Sequence, residues 1–139
     1  MNIFYTDLDN TLIYSYKHEF WKDNSLKRNV ELYEGRQISF ITEKTYRLLL
    51  ELKKHMGIVP VTTRTIEQYS RIDLGIGKLP SALVCNGGVL LKDGNSDQAW
   101  YEQSLRLIAD SREELAAAAS YLEQEKSRIF EVRYIKQLF

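Results

Sequence analysis

The sequence has little cysteine, no long apolar run and no excess of charge. Its single cysteine, Cys85, lies in an apolar run, so no disulfide can form within the chain, as is typical of a reducing cytosol. No apolar stretch approaches the roughly 20 residues that a membrane-spanning helix needs. The N-terminus lacks the basic segment of a signal peptide. We therefore expect a cytoplasmic protein with no membrane partner.

The charges balance, with 19 basic and 19 acidic residues in a chain of 139. A chain of zero net charge has no long-range attraction to nucleic acid. Residues 14–40 mix aromatic and basic side chains, as single-strand nucleic-acid platforms do, but acidic residues cancel most of that charge. We expect no nucleic-acid partner, and interpret this segment as a lid or flap over a neighbouring site, or as a structured surface loop.

Three short apolar runs each end in small polar residues. They cover residues 3–6, 58–61 and 82–85, and polar side chains follow or close each of them. Short buried strands that open into polar loops are typical of a parallel α/β sheet. Such sheets bind ligands beyond the carboxyl ends of their strands. The sequence therefore predicts a site formed by the residues that end these three runs.

A helix is predicted over residues 43–56, with Thr42 as the N-cap and Gly57 as the C′ residue. Its apolar face is predicted to contain Leu48, Leu49, Leu52 and Met56. A shorter helix is predicted over residues 65–71, and a hairpin turn at residues 92–94.

The character of the chain changes after about Trp100. Residues 111–114, Ser-Arg-Glu-Glu, fit a capping box at the start of a helix. The apolar stripe of that helix is predicted to consist of Leu115, Ala118, Ala119 and Leu122. A partial apolar–polar alternation over residues 130–135 predicts a half-buried strand. We therefore predict a second module that begins near residue 97.

Residues 7–11, Asp-Leu-Asp-Asn-Thr, carry the chemistry that the sequence suggests most directly. They could form an ordinary turn, in which aspartate and asparagine are common. A calcium loop is excluded, because Leu12 and His18 stand where it needs glycine and glutamate. The third interpretation is phosphoryl transfer, in which one carboxylate attacks phosphorus and the other transfers the proton.

The order of the motifs resembles the haloacid dehalogenase superfamily. Residues 7–11 resemble its first motif, and residues 59–62, Val-Pro-Val-Thr, its second. Residues 62–64 are similar to the Thr-Gly-Arg of members with a type-2 cap, with Thr63 in place of the glycine. Residues 85–88 resemble the Asn-Gly turn of the same members, a group that is Cof-like or similar to sucrose-phosphate phosphatase.

The resemblance implies a Mg²⁺-dependent phosphatase that acts on a small phosphorylated metabolite, such as a sugar phosphate, through an aspartyl-phosphate. Asp7 would be the nucleophile and Asp9 the general acid/base, and both would ligate Mg²⁺, Asp9 through its main-chain carbonyl. The phosphate would be bound by the backbone near Leu8 and by Thr62 and Thr63. Three further residues would support the site: Thr11, Arg64 and Asn86.

Two of these supporting residues have an alternative interpretation. Arg64 could equally pair with a core carboxylate, and Asn86 could only satisfy a turn. A phosphotransferase with the same aspartyl intermediate is a further alternative, which differs only in the group that accepts the phosphate.

The resemblance also implies an α/β fold: a Rossmann-like parallel sheet core, incomplete, in residues 1–96, and the beginning of an α+β type-2 cap in residues 97–139. The family site also needs a lysine and an acidic pair on a fourth strand, and nothing in this sequence matches them. The first strand would be left as an open sheet edge. We therefore expect either an N-terminal fragment or an oligomer through that edge, and keep a non-catalytic partner-binding module as an alternative.

Overall fold

The computed structural model describes residues 2–22, 26–125 and 127. The strands are β1 (Ile3–Thr6), β2 (Tyr14–Ser15), β3 (Lys27–Tyr33), β4 (Arg36–Thr42), β5 (Gly57–Pro60), β6 (Ser81–Val84), β7 (Val89–Lys92) and β8 (Asn95–Ser96). The helices are α1 (Glu43–Lys53), α2 (Ile66–Ser70), α3 (Gln98–Leu107) and α4 (Arg112–Gln124). The chain is a mixed α/β protein, and among the described helices none combines the length and apolar character needed to cross a membrane.

Two strands of the chain form a small parallel sheet. β1 and β5 pair in parallel, with Ile3 opposite Gly57 and Thr6 opposite Pro60. β6 joins β5 only through an isolated parallel bridge between Val61 and Leu83. From β6 the chain continues through two antiparallel hairpins, in the order β6-β7-β8.

Pro60 explains why the third predicted strand is not a full member of the parallel sheet. Residues two apart in a strand direct their N–H groups to the same neighbour. The N–H of Thr62 donates to the Leu83 carbonyl of β6 at 2.9 Å, so the N–H two residues earlier would also face β6. Proline has no N–H to donate there. The predicted parallel pairing is therefore confirmed for β1 and β5 and reduced to one bridge for β6.

Within the described part of residues 14–42, the strands β2, β3 and β4 form an antiparallel sheet in the order β2-β4-β3. The turn between β3 and β4 is formed by Glu34 and Gly35, whose φ angles are 50° and 75°, as a two-residue hairpin of this twist requires. Val30 and Ile41 of this sheet are buried in the core. The interpretation of this segment as a surface loop is therefore wrong for residues 14–15, 27–33 and 36–42, which form strands.

Two apolar clusters hold these elements together. The first fills the space between β1, β5, α1 and the β3–β4 hairpin, and its buried members are Leu8, Leu12, Ile13, Val30, Ile41, Leu49, Ile58, Leu74 and Ile76. The second lies on the β6–β7 hairpin, and its buried members are Ala82, Val84, Cys85, Val89 and Leu91. Tyr69 of α2 packs against both clusters and so connects them.

Helix α1 begins at the predicted residue and ends early. The Thr42 side chain accepts a hydrogen bond from the N–H of Thr45 at 3.0 Å, which confirms the N-cap. The predicted end at Met56 is wrong, because the helix stops at Lys53. Gly57 is not a C′ residue but the first residue of β5.

The apolar face of α1 is narrower than predicted. Leu49 is buried and Leu52 packs against the first cluster, whereas Leu48 is 60% exposed. Successive residues of a helix are about 100° apart, so Leu48 lies outside the stripe that faces the core.

The predicted short helix at residues 65–71 and the predicted turn at residues 92–94 are both confirmed. α2 is flanked by Thr65 and Arg71 as its cap residues, and a capping box joins Thr65 to Gln68. The predicted turn at residues 92–94 connects β7 to β8, with Asp93 and Gly94 at φ angles of 51° and 85°.

Helix α3 begins where the second module was predicted. Asp97 Oδ1 caps it by accepting from the N–H of Trp100 at 2.8 Å. The Trp100 Nε1–H donates to the Gly87 carbonyl at 2.9 Å, which fixes α3 on the turn between β6 and β7. The division of the chain at residue 97 stays a prediction.

Helix α4 follows Ser111 as predicted, but its capping box is wrong. Ser111 ends a 3-10 turn (Ala109–Ser111) and has φ −95° and ψ −2°, rather than the extended backbone that a capping serine needs. Its side chain makes no cap hydrogen bond, and no residue of α4 is buried. The predicted apolar stripe is thus uncovered within the described part of the chain, and the strand predicted at 130–135 lies outside it.

One edge and one face of β1 are open within the described residues. β1 pairs with β5 on one side and with no described strand on the other. Ile3 and Tyr5 alternate with the inward-facing Phe4 and are 46% and 59% exposed. The expected open sheet edge is therefore present in this part of the chain.

The two cap positions give a matched test of the helix termini. We expect Thr42→Ala to lower the free energy of unfolding by about 1 kcal/mol, because it removes the acceptor of the Thr45 N–H. Ser111→Ala should change it by less than about 0.5 kcal/mol, because Ser111 makes no cap bond. Urea denaturation of both variants measures the difference, and equal losses would contradict the assignment of the caps.

Candidate functional site

The loop after β1 places two carboxylates on either side of a buried leucine. Asp7 and Asp9 are exposed, whereas Leu8 between them is fully buried. The N–H groups of residues 11–13 converge on the Leu8 carbonyl at 3.3, 2.9 and 2.9 Å and close the loop. Leu8 thus anchors a loop whose carboxylates stay at the surface.

Asp7 keeps most of its carboxylate free. Its Oδ2 accepts one hydrogen bond, from the Thr11 hydroxyl at 3.1 Å. No cation pairs with it within residues 2–22, 26–125 and 127. The predicted supporting residue Thr11 therefore orients Asp7, and the described part of the chain has no ion-pairing lysine at this carboxylate.

Asp9 is held by Arg64, which lies beyond the end of β5. Arg64 Nε donates to Asp9 Oδ2 and Nη2 donates to Oδ1, both at 2.8 Å. This two-bond geometry fixes the relative orientation of the guanidinium and the carboxylate. It brings together two residues that are far apart in sequence and that the motifs predict for one site.

Arg64 also pairs with Glu31 of β3. Arg64 Nη1 donates to Glu31 Oε1 at 2.9 Å, and Nη2 donates to Oε2 at 3.1 Å. Two other side chains complete the contacts of Glu31: Arg71 Nε donates to Oε1 at 3.2 Å, and the Ser39 hydroxyl donates to Oε2 at 2.6 Å. Glu31 is 2% exposed. Of the two interpretations of Arg64, pairing with a core carboxylate is the one that the structure contains.

These contacts shift the ionisation of both partners. Hydrogen bonds that Arg64 donates to Asp9 and Glu31 raise the pKa of Arg64 above its ordinary value, against the effect of burial. Burial alone would raise the pKa of Glu31, but hydrogen bonds from Arg64 and Ser39 outweigh it and hold that pKa below its ordinary value. Glu31 and Arg64 are therefore both charged at neutral pH and form a fixed ion pair.

The two predicted threonines differ in their surroundings. Thr62 is buried, and its Oγ1 accepts from the N–H of Arg64 at 3.2 Å. A hydroxyl that accepts still has its own proton to donate, so Thr62 can donate to a bound oxygen. Thr63 is exposed.

Asn86 serves the turn after β6. Its φ angle is 55°, and its N–H donates to the Thr62 carbonyl at 3.2 Å. The preceding Cys85 N–H donates to the Arg64 carbonyl at 2.8 Å. This turn therefore supports the loop that contains Thr62 and Arg64, which agrees with the interpretation of Asn86 as a turn residue.

A cavity of about 520 Å³ opens beside Asp9 and Arg64. Its other polar lining residues include Ser15, Tyr16, Lys17, Gln68 and Arg71. Asp7 and Thr62 do not line it. The cavity thus lies on the Asp9 side of the loop.

The oxygen donors beside Asp7 and Asp9 meet only part of what Mg²⁺, the cofactor that the resemblance implies, requires. Mg²⁺ is commonly held by one or two carboxylates together with the oxygens of a bound phosphate. Both oxygens of Asp9 are occupied by Arg64, so the carboxylate that remains is Asp7. The described residues contain no group of three or more acidic, histidine or cysteine side chains placed to hold a metal. The set fits an ion shared with a substrate phosphate rather than one enclosed by protein.

No protein-family model matches the chain, and no curated protein matches it.

Sequence reasoning missed Glu31, Ser39 and Arg71. Glu31 lies between the apolar residues Val30 and Leu32, and this position in a strand is the only local signal of its burial. The residues that share its contacts are distant in sequence, so no motif contains them.

Glu31 makes the free energy of unfolding depend on pH in the acid range. Because its pKa is lower in the folded chain than in the unfolded chain, its ionised form stabilises the fold at neutral pH. That contribution is lost as the pH falls from the ordinary value of 4.5 through the lower folded value. We expect Glu31→Gln to cost about 3 kcal/mol at pH 7 and to flatten the decline of stability below pH 4.5.

Urea denaturation as a function of pH measures both effects. The control is Glu114→Gln, which changes an exposed glutamate of α4. An equally steep acid decline in Glu31→Gln and the unmodified chain would refute the role of Glu31.

Proposed function

We propose that this chain provides the nucleophile side of a Mg²⁺-dependent phosphatase site of the haloacid dehalogenase type. The substrate would be a small phosphorylated metabolite, hydrolysed through an aspartyl-phosphate on Asp7. The proposal is supported by the motifs at the ends of the strands and by the contacts of the side chains in them.

The observation that carries the proposal is the position of Asp7 and Thr62 at the ends of neighbouring strands. The N–H of Val61 donates to the Thr6 carbonyl at 2.8 Å, directly before both residues. The two side chains therefore follow the same end of one parallel pair, which is where α/β sheets bind their ligands. A phosphate group there would meet a carboxylate and a hydroxyl donor.

We propose further that β1, β5 and β6 begin a Rossmann-like sheet, and that an α+β cap of the type-2 class begins near residue 97. The parallel pairing of β1 with β5 and the parallel bridge to β6 support this order.

Asp7 has the surroundings that a nucleophile needs. It is exposed, and its one hydrogen bond, from Thr11, orients it and leaves an oxygen free. In the first step that oxygen would attack phosphorus while the bond from phosphorus to the ester oxygen breaks. In the second step water would attack the aspartyl-phosphate, which releases inorganic phosphate and restores Asp7.

Asp9 would transfer the protons of both steps. It would donate one to the ester oxygen as that oxygen leaves, and accept one from the attacking water. Arg64 occupies both oxygens of Asp9. One oxygen must therefore leave the guanidinium before Asp9 can reach the reacting oxygen.

The phosphate would be held by short-range donors. The Thr62 hydroxyl has a proton to donate, since its oxygen accepts from Arg64 N–H. The N–H of Leu8 donates to no described backbone carbonyl and is the second donor. Thr63 is exposed beside them and is the third.

Mg²⁺ would be held by the Asp7 carboxylate and the main-chain carbonyl of Asp9. Bound there, it would offset the repulsion between the carboxylate and the phosphate oxygens.

The test is release of phosphate from an aryl phosphate in the presence of Mg²⁺. Any turnover of the unmodified chain should fall by at least about 1,000-fold in Asp7→Asn. Stability should change by less than about 0.5 kcal/mol, because Asp7 is exposed.

The matched control is Asp110→Asn, an exposed aspartate in the 3-10 turn before α4, which should keep full turnover. An Asp7→Asn variant as active as the unmodified chain would refute the nucleophile assignment. No turnover in any of the three would show that this chain does not run the reaction by itself.

A second candidate function is binding of another chain, and the open edge of β1 favours it. Its unpaired backbone groups can accept a further strand, and Ile3 and Tyr5 offer apolar surface beside it. This function does not need an active site.

Association through this edge predicts a concentration-dependent oligomer in native mass spectrometry and size exclusion. Tyr5→Lys should shift it to monomer, because a lysine on an edge strand opposes further pairing. Tyr121→Lys changes a residue that is 74% exposed on α4 and should leave it unchanged. A chain that stays monomeric and soluble at every concentration would count against this function.

A further inference from the structure

Glu31 holds Arg64 independently of Asp9. The two carboxylates bind different parts of one guanidinium. Asp9 accepts hydrogen bonds from Nε and Nη2, and Glu31 accepts hydrogen bonds from Nη1 and Nη2. Arg64 would therefore keep both bonds to Glu31, and the bond from Nη1 to the Gln68 carbonyl at 3.3 Å, if Asp9 left it. Asp9 has no comparable second partner among the described ion pairs.

The two carboxylates also differ in freedom. The Glu31 side chain is 1% exposed and is fixed further by Ser39 and Arg71, at 2.6 and 3.2 Å. The Asp9 side chain is 46% exposed and borders the cavity. Of the two, only Asp9 has room to rotate away from the arginine.

We propose that Glu31 is a positioning residue for Asp9. It fixes the Arg64 guanidinium to the β2-β4-β3 sheet, so that Asp9 exchanges between Arg64 and the reacting oxygen while the arginine stays in place. The inference rests on the proposed function for the reaction that Asp9 serves. It makes the β2-β4-β3 sheet part of the site, through a residue that touches neither phosphate nor nucleophile.

The hold on Arg64 is tested by NMR of its guanidinium N–H groups, in ¹⁵N-labelled protein at low temperature. Restricted rotation gives separate signals for the Nη1 protons. We expect these signals to persist in Asp9→Asn, since Glu31 still binds Nη1 at 2.9 Å. They should average faster in Glu31→Gln, in which Nη1 keeps the weaker bond to the Gln68 carbonyl at 3.3 Å. Averaging in Asp9→Asn, or persistence in Glu31→Gln, would overturn the proposal.

Two further variants complete the NMR experiment, one as a control and one as a substitute for Glu31→Gln. Glu43→Gln breaks another ion pair, in which Arg28 Nε lies 2.8 Å from Glu43, and should leave the Arg64 signals unchanged. If Glu31→Gln does not fold, Ser39→Ala removes the 2.6 Å bond to Glu31 without touching Arg64. It should speed the rotation of Nη1, and unchanged rotation would overturn the proposal.

The effect of Glu31 on catalysis is measured as turnover of an aryl phosphate. We expect Glu31→Gln to lower kcat by roughly 10- to 100-fold, with KM changed by less than about threefold, while Glu43→Gln retains both values. Unchanged kcat in Glu31→Gln, with turnover that still requires Asp7, would overturn the positioning role and leave the phosphatase proposal intact. Absence of Asp7-dependent turnover in the unmodified chain would instead overturn the phosphatase proposal, and the NMR result would still decide whether Glu31 holds Arg64.

Discussion

The site depends on one guanidinium that is shared by two carboxylates. Arg64 joins the loop after β5 to the loop after β1 through Asp9, and to the antiparallel sheet through Glu31. Burial of Glu31 is tolerated only because cations and a hydroxyl meet its oxygens, since an unpaired carboxylate in this position would cost several kcal/mol. Removing the arginine would therefore affect three elements at once.

The sequence was sufficient to predict the elements that local patterns determine. Apolar runs that end in polar residues located β1 and β5, and the threonines at 42 and 65 located the beginnings of α1 and α2. Because the ends of parallel neighbours meet at one edge of the sheet, the positions of Asp7 and Thr62 followed from the same patterns.

The remaining features depend on contacts that no local pattern contains. Glu31 lies 33 residues from Arg64, and its strand resembles any half-buried strand with a charge in it. Ser111 has the correct sequence for a cap, but the 3-10 turn before it leaves its backbone in the wrong conformation. Pro60 shows its effect only once its backbone nitrogen, which carries no hydrogen, is known to face β6 rather than β1.

The pairing of charges inside the site also governs how a ligand would reach it. The cavity beside Asp9 is lined by three cations and two carboxylates, and two of those cations are committed to the carboxylates. Little field extends from such an arrangement into the solvent, and the whole chain adds no net charge to it. Encounter with an anionic compound would therefore proceed at the rate of ordinary diffusion, nearly independent of ionic strength, and selection would take place only after contact.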